Sequence, residues 1–354
     1  MALTFETMLE EMLKRSASDL YITVGQPPVL RVNGRLVRLE SERLTSDMTQ
    51  RLVYSFLTDE QKETFEREWE LDLCFSLGER ARIRANVFRQ RGTVSSVLRN
   101  IPGKVPSFDE LGLPKVVNKI VELPKGLVIV SGATGSGKST TLASMLDYIN
   151  EREPLHILSV EDPIEYVHPH KKSLVNQREV GQDTNSFASA LKYALREDPD
   201  VVLVGEMRDL ETMESALVIA ETGHLVFATL HTPDAIQAIN RIIDVFPAFQ
   251  QPQVRSQLAF VLQAVMCQQL VPMAEGGGLA LAGEILMLTP AIRNLIREEK
   301  SHQIYSMMQT GQEQGMQTMN QALHRLLKER KITRDEAFAR SSDQLELEKL
   351  IRGV

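Results

Sequence analysis

The pattern of apolar and polar positions divides this chain into two parts. Near the start, Phe5, Met8, Leu9, Met12 and Leu13 recur at helical spacing with acids between them, which predicts an amphipathic helix. Asp19 to Gly25 reads as a strand, and Val29 to Leu39 alternates around Asn33-Gly34, a dipeptide that predicts a tight hairpin. Ser46 to Tyr54 and Asp59 to Trp69 carry helical spacing. Leu71 to Leu77 and Arg80 to Phe88 read as strands joined at Gly78-Glu79, with Val94 to Leu98 as a third. Helix, hairpin, helices and meander are not a βαβ order. They predict an antiparallel sheet with helices on one side.

Beyond Ile101-Pro102-Gly103-Lys104-Val105-Pro106-Ser107 the pattern changes to apolar runs alternating with helical stretches. The runs are Leu127 to Val130, Leu155 to Val160, Val201 to Val204, Leu225 to Leu230 and Leu279 to Leu288. Helices are predicted from Lys138 onward, over Ser186 to Arg196 and over Leu210 to Glu221. His168 to Asn185 reads as a polar stretch, and Pro233 to Gln269 as a long helical region broken near Pro247 and Pro252. Apolar strands separated by helices predict a parallel sheet covered on both faces, with its ligand edge at the carboxyl ends of the strands. The resulting division is an α+β domain over residues 1–100, a linker over 101–115, a nucleotide-binding α/β core over 116–288 and a helical region over 289–354.

The candidate chemistry sits at that edge. Leu127 to Val130 runs into Gly132-Ala133-Thr134-Gly135-Ser136-Gly137-Lys138-Ser139, followed by Thr140 and a helix. This is the P-loop pattern in its proper strand-loop-helix setting. Glycines let backbone N–H groups curl around a phosphate, and the helix start adds its own N–H groups. Lys138 can reach the outer phosphates of ATP, and the Ser139 hydroxyl can ligate Mg²⁺.

Carboxylates end two other strands. Val201 to Val204 leads to Gly205-Glu206, one position later than a usual Walker B acid, and Glu206 is the candidate for orienting or deprotonating the attacking water. A salt bridge to Arg208 is the structural alternative. Glu161, Asp162 and Glu165 follow Leu155 to Val160. They are expected to hold Mg²⁺ through water, to compete for the base role, or to cap a turn. Several buried acids so close together would repel, which favours a cation among them. His224 and His231 bracket one strand and so lie at opposite ends. A satisfied core histidine is the default for either, but His231 shares the edge with Glu206 and could sense the γ-phosphate or hold a neighbouring acid. Arg80, Arg82 and Arg84 alternate with Ala81, Ile83 and Ala85, which places the guanidinium groups on one sheet face. That face is either simply solvated or a set of fixed cations for phosphate on a neighbouring subunit. Arg89 and Arg91 fall at opposite parity, which predicts a bulge or the strand end.

Bulk properties narrow the classes. The 354 residues carry a net charge of −7, so nucleic acid is not favoured as a partner. Two cysteines, Cys74 and Cys267, form no metal spacing and fit a reducing compartment. No apolar run approaches the roughly 20 residues of a membrane span, and the first helix is not a signal peptide. Any membrane association is expected to be peripheral, through a partner.

The P-loop, Glu161-Asp162-Pro163-Ile164-Glu165, Val204-Gly205-Glu206-Met207-Arg208-Asp209 and Thr222-Gly223-His224…Thr229-Leu230-His231-Thr232 stand in the order of the Walker A, Asp box, atypical Walker B and His box of the secretion and pilus ATPases. The chain resembles that family over nearly its whole length. Residues 291–298 look like the signature of the family's pilus-retraction branch. Only Cys267 stands where the pilus-extension and type II secretion branches carry a tetracysteine zinc module, which favours retraction over assembly. The resemblance implies a PAS-like N-terminal domain, a RecA-like ATPase domain, and a hexameric ring on the cytoplasmic face of the inner membrane, working with the pilus platform protein. It implies that Glu206 acts at the water with Glu161 and Glu165 in support, that His231 belongs to the site, and that arginines reach ATP from a neighbouring subunit. Arg82 and Arg84 are the candidates, with Arg196 and Arg208 as others. The same chemistry would serve an extension or type II secretion motor. A RecA-like nucleic-acid motor and a non-hydrolysing scaffold are further alternatives.

Overall fold

The computed structural model describes residues 4–32, 34–78, 81–101 and 103–353. It divides into two compact units, Met1–Lys104 and Val105–Val354.

In the first unit six strands form one antiparallel sheet. They are β1 (Asp19–Ile22), β2 (Val29–Val32), β3 (Arg35–Arg38), β4 (Glu70–Ser76), β5 (Arg82–Gln90) and β6 (Thr93–Ile101), ordered β3-β2-β1-β6-β5-β4. Leu20, Leu30, Ile83, Ala85, Val87 and Leu98 point to one face. That face is covered by the helices Phe5–Lys14, Ser46–Tyr54 and Asp59–Glu68 through Met8, Met12, Val53 and Phe65. The first helix is thus a core helix, capped by Thr4. Asn33 of the expected hairpin, Glu79 of the expected turn and Arg80 of the arginine stripe lie outside the described residues. Arg89 involves no bulge, because pairing with β6 stays in register to Gln90↔Thr93. The strand outruns the core there, so Arg89 packs over Trp69 and pairs with Glu66.

The second unit holds a seven-stranded sheet. Its strands are β7 (Gly126–Ser131), β8 (His156–Glu161), β9 (Leu174–Glu179), β10 (Val201–Val204), β11 (Leu225–Leu230), β12 (Leu262–Pro272) and β13 (Leu279–Met287), ordered β13-β12-β7-β11-β10-β8-β9. Two apolar layers sandwich it, one built on Leu142, Met145 and Ile149 of the helix Lys138–Arg152, the other on the helices Phe187–Ala194, Leu210–Glu221 and Ala235–Asp244.

Three sequence expectations change here. The sheet is mixed, because β13 pairs antiparallel with β12 while the inner strands are parallel. Residues 262–269, expected as helix, begin β12. The run Leu262-Gln263-Ala264-Val265-Met266-Cys267 fits either state, and hydrogen bonding beside the buried β7 selects the strand. The polar stretch His168 to Asn185 contains β9, an edge strand whose exposed residues hide its alternation. Within the expected linker, Ser107 caps a short helix, Phe108–Leu111, and Phe108 stacks on Tyr148 at 5.0 Å.

Candidate active site

The phosphate loop forms where β7 stops. Gly132 sits at φ +139, and a Cβ there would lie 2.5 Å from the backbone oxygen of Gln268 on β12, so only glycine lets the loop pass. Gly135 and Gly137 are left-handed, at φ +78 and +88. Gly137 begins the 15-residue helix Lys138–Arg152, and no side chain caps it, which leaves the first-turn N–H groups for an anion. Ala133, Thr134 and Gly135 form an exposed rim. The Ser136 hydroxyl is buried without a partner. Lys138 is buried, and its Nζ donates to the carbonyls of Gly132 (2.8 Å) and Ala133 (3.0 Å). An uncapped helix start, an orphaned hydroxyl and a lysine converging on a glycine loop fit the phosphates of a nucleotide.

Glu206 leaves the end of β10 and its Oε1 lies 3.2 Å from His231 Nε2 and 2.6 Å from Arg208 Nε. The salt bridge to Arg208 is thus present, and His231 shares the same carboxylate oxygen. Burial pushes the Glu206 carboxyl up, but Arg208 and then His231 outweigh it and hold it below the ordinary range. Lys138 shows the other side of this cluster. Burial lowers its pKa, and the charges of Glu206 and Glu165 pull it back up. Two contacts fix the edge: Thr229 Oγ1 donates to the Gly205 carbonyl (2.5 Å), and Thr232 N donates to Ser131 Oγ at the end of β7 (2.9 Å). His231 is thereby carried beside the phosphate loop.

Asp162 and Glu165 are exposed, so the expected cluster of buried acids is not what forms. Glu161 accepts from Ser159 Oγ (2.7 Å) and Gln177 Nε2 (3.2 Å); burial raises its pKa and these bonds only partly offset that. Gln177 also donates to the Tyr166 carbonyl (2.8 Å) and accepts from His168 N (2.8 Å), which ties the 161–168 loop to β9. The Tyr166 hydroxyl in turn meets Thr140 Oγ1 at 3.1 Å, beside the half-buried Ser139. Sequence reading missed Gln177 and Tyr166, because neither carries a motif signal until β9 is seen to be a strand. Among the described residues no three His, Cys, Asp or Glu side chains gather as a metal site. Ser139 could hold a magnesium ion brought with the nucleotide, and Glu161 and Asp162 could reach it through water.

Arg82 and Arg84 lie in the first unit, half-buried on the sheet face opposite the core. Arg84 stands opposite Arg99, which binds the buried Asp19 at 2.9 Å, and Arg31 approaches the same carboxylate at 3.5 Å. The cationic face is thus wider than the β5 stripe. Arg196 is exposed just past the helix Phe187–Ala194 and lies over the Tyr193 ring. His224 lies at the amino end of β11, its Nδ1 3.0 Å from the Ile219 carbonyl, and borders a separate cavity of about 590 Å³.

A buried acid connects the edge to the C-terminal helices. Glu284 on β13 accepts from Ala235 N (2.8 Å), at the start of the helix Ala235–Asp244, and lies near the backbone amide of Met319, at the start of the helix Met319–Lys328. Burial pushes its carboxyl up to about 7; the Ala235 and Met319 amides pull down while Asp234 and Glu346 push up. Folded chain then holds a proton that unfolded chain releases near 4.5, so stability falls as pH rises from 4.5 through about 7. Denaturant titrations should show Glu284→Gln flattening this dependence, gaining roughly 3 kcal/mol at most on the parent across the window.

Comparison with known proteins places these features in context. Residues 2–278 match the family model described as type II/IV secretion system protein. The chain is 50% identical over 324 residues to the Pseudomonas aeruginosa protein named type IV pilus retractation ATPase PilT, covering 92% of this chain and 94% of that one. It is 49% identical over 316 residues to a Neisseria gonorrhoeae twitching motility protein, covering 89% and 84%. A crystal structure described as the pilus retraction motor PilT with bound ADP superposes with a TM-score of 0.92 at 51% identity, over 98% of this chain and 99% of that one.

Proposed function

The chain belongs to the type II/IV secretion system protein family, and we propose that it is an ATPase whose hydrolysis of ATP powers retraction of a type IV pilus and hence twitching motility. The observation that carries the chemistry is Glu206, held between Arg208 and His231 at an edge where the phosphate-loop lysine feels its charge.

The phosphate loop binds the nucleotide through the backbone around Gly135 and Gly137, with Lys138 turning from the loop carbonyls to the outer phosphates. Ser139, with Glu161 and Asp162 through water, would hold a magnesium ion arriving with ATP, and the ion would supply charge neutralisation at the transferring phosphoryl group. Glu206 is ionised well below neutrality, so it acts mainly as an acceptor that aligns the attacking water. His231 sits where it can report the γ-phosphate to Glu206. Glu165 and Glu161 support this arrangement, Glu165 by its charge near Lys138 and Glu161 by anchoring its own loop.

In this reading the first unit is a PAS-like domain, the second is a RecA-like ATPase, and six copies form a ring. Arg82 and Arg84 meet the phosphates bound by a neighbouring copy. The ring acts on the inner-membrane platform of the pilus from its cytoplasmic face. Among the described residues no helix is long and apolar enough to cross a membrane.

The test is ATP hydrolysis per subunit against protein concentration, with assembly state recorded. Activity should rise with ring formation, and Arg82→Ala subunits mixed into wild-type rings should depress their neighbours more than in proportion. Activity independent of assembly, or strictly proportional mixing, would sink the shared site. In cells lacking their own retraction ATPase, the gene should restore twitching, and failure there with normal hydrolysis would remove the retraction assignment.

A further inference from the structure

The second unit carries an open groove of about 510 Å³ that the ATPase chemistry does not use. One wall is Lys115, just before the helix Val116–Val121; the other is His324, Arg325 and Lys328 on the helix Met319–Lys328. That helix buries Met319, Ala322, Leu323 and Leu326, so its opposite, polar face is turned to the groove. Beneath the walls the Gly315 backbone packs against the Val116 side chain. Gly315 is left-handed at φ +87, and a Cβ there would lie 2.5 Å from Val116 Cγ2. Val116 and Met316 are buried and make an apolar floor.

The charge of this groove is one-sided. Among the described residues no carboxylate lines it, and none lies within 4.0 Å of the four basic side chains. Glu313 lies in the turn between the lining residues Gln312 and Gly315, and three acids of the neighbouring helices are engaged elsewhere. Glu329 pairs with Lys331 at 2.8 Å, Glu348 pairs with Arg352 at 2.5 Å, and Glu346 accepts from Tyr305 at 2.6 Å and from Asn320. In a chain of net charge −7, gathering unpaired cations in one concavity works against stability and raises the local concentration of anions. The shape selects among anionic partners. A bilayer surface is met by apolar side chains that project, whereas here the apolar residues are recessed beneath the cations.

We propose that this groove docks an acidic peptide segment of a partner protein, its carboxylates on Lys115, Arg325 and Lys328 and an aliphatic side chain on the Val116–Met316 floor. The proposal is independent of the ATPase assignment. The surface lies on the helical region, and its occupant binds whether or not nucleotide turns over.

The experiment uses the full chain and a labelled peptide of alternating glutamate and leucine, read by fluorescence anisotropy at low and high salt. A lysine-leucine peptide and vesicles containing phosphatidylglycerol serve as comparisons. The acidic peptide should bind, weaken with salt, and lose about tenfold or more in affinity when Arg325→Glu and Lys328→Glu are combined, with basal ATP hydrolysis unchanged. Arg325→Gln with Lys328→Gln should fall between, which keeps the test valid if the reversed variant misfolds. Equal affinity of parent and charge variants would overturn the proposal. Binding to vesicles but not to the acidic peptide would overturn it in favour of a membrane surface.

Discussion

Replacing Glu206 with glutamine should lower ATP turnover by about 10²–10⁴-fold while leaving ATP affinity nearly unchanged. Glutamine keeps the shape and can still touch the water, but it loses the charge that Arg208 and His231 hold in place. It also strands the Arg208 guanidinium, which is mostly exposed and rehydrates, so the fold should survive. The signature in kinetics is a fall in kcat and kcat/KM together, because the interaction lost matters at the water rather than at the bound phosphates. Single-turnover hydrolysis and nucleotide binding, measured on the same preparation, separate the two. Turnover within about tenfold of the parent would move the water-aligning role to Glu165, the other acid whose charge reaches Lys138.

The second large effect is structural. Gly132→Ala should abolish nucleotide binding and destabilise the second unit by about 3 kcal/mol, the upper range for a residue forced into a disfavoured backbone region. Two independent problems meet at this position. The φ of +139 is unfavourable for any side chain, and the new Cβ would press on the Gln268 backbone oxygen at 2.5 Å. Relief requires moving either the loop or β12, and β12 is hydrogen-bonded on both sides, to β7 and β13. Gln268 also donates to Thr141 at 2.8 Å, so a shift there reaches the helix that bears Lys138 and Ser139. Gly135→Ala is the control. It shares the left-handed backbone, at φ +78, but a Cβ there meets nothing within 4 Å. Chemical denaturation should therefore show a smaller loss for Gly135→Ala than for Gly132→Ala. Equal losses would mean that backbone strain, not the approach of β12, sets the effect.

Much of the site is legible in the order of the residues, and the reason is local. A phosphate loop is specified by glycines where φ is positive, an apolar run before them and a helix after, all within a few residues of one another. The acids and His231 follow apolar strands, and in a parallel sheet strand ends with the same direction share an edge. Spacing alone therefore puts Lys138, Glu206, Glu165 and His231 together. Opposite ends of one strand likewise separate His224 from His231.

Tertiary contacts settle what neighbours decide. The run from Leu262 to Cys267 has no period of its own, and becomes a strand because β7 offers it hydrogen bonds. β9 exists because β8 does, and with it comes Gln177, which donates to Glu161. Arg99 and Arg31 join the arginine face only through cross-strand register. The same holds for the basic groove, where Lys115 and Arg325 are distant in sequence and meet because Gly315 lets the chain press against Val116. Residue type and short-range spacing determined the phosphate-binding chemistry and the edge at which it works. Burial and pairing across the fold decided which partners hold each carboxylate and which cations line the groove, because these depend on side chains brought together from distant parts of the chain.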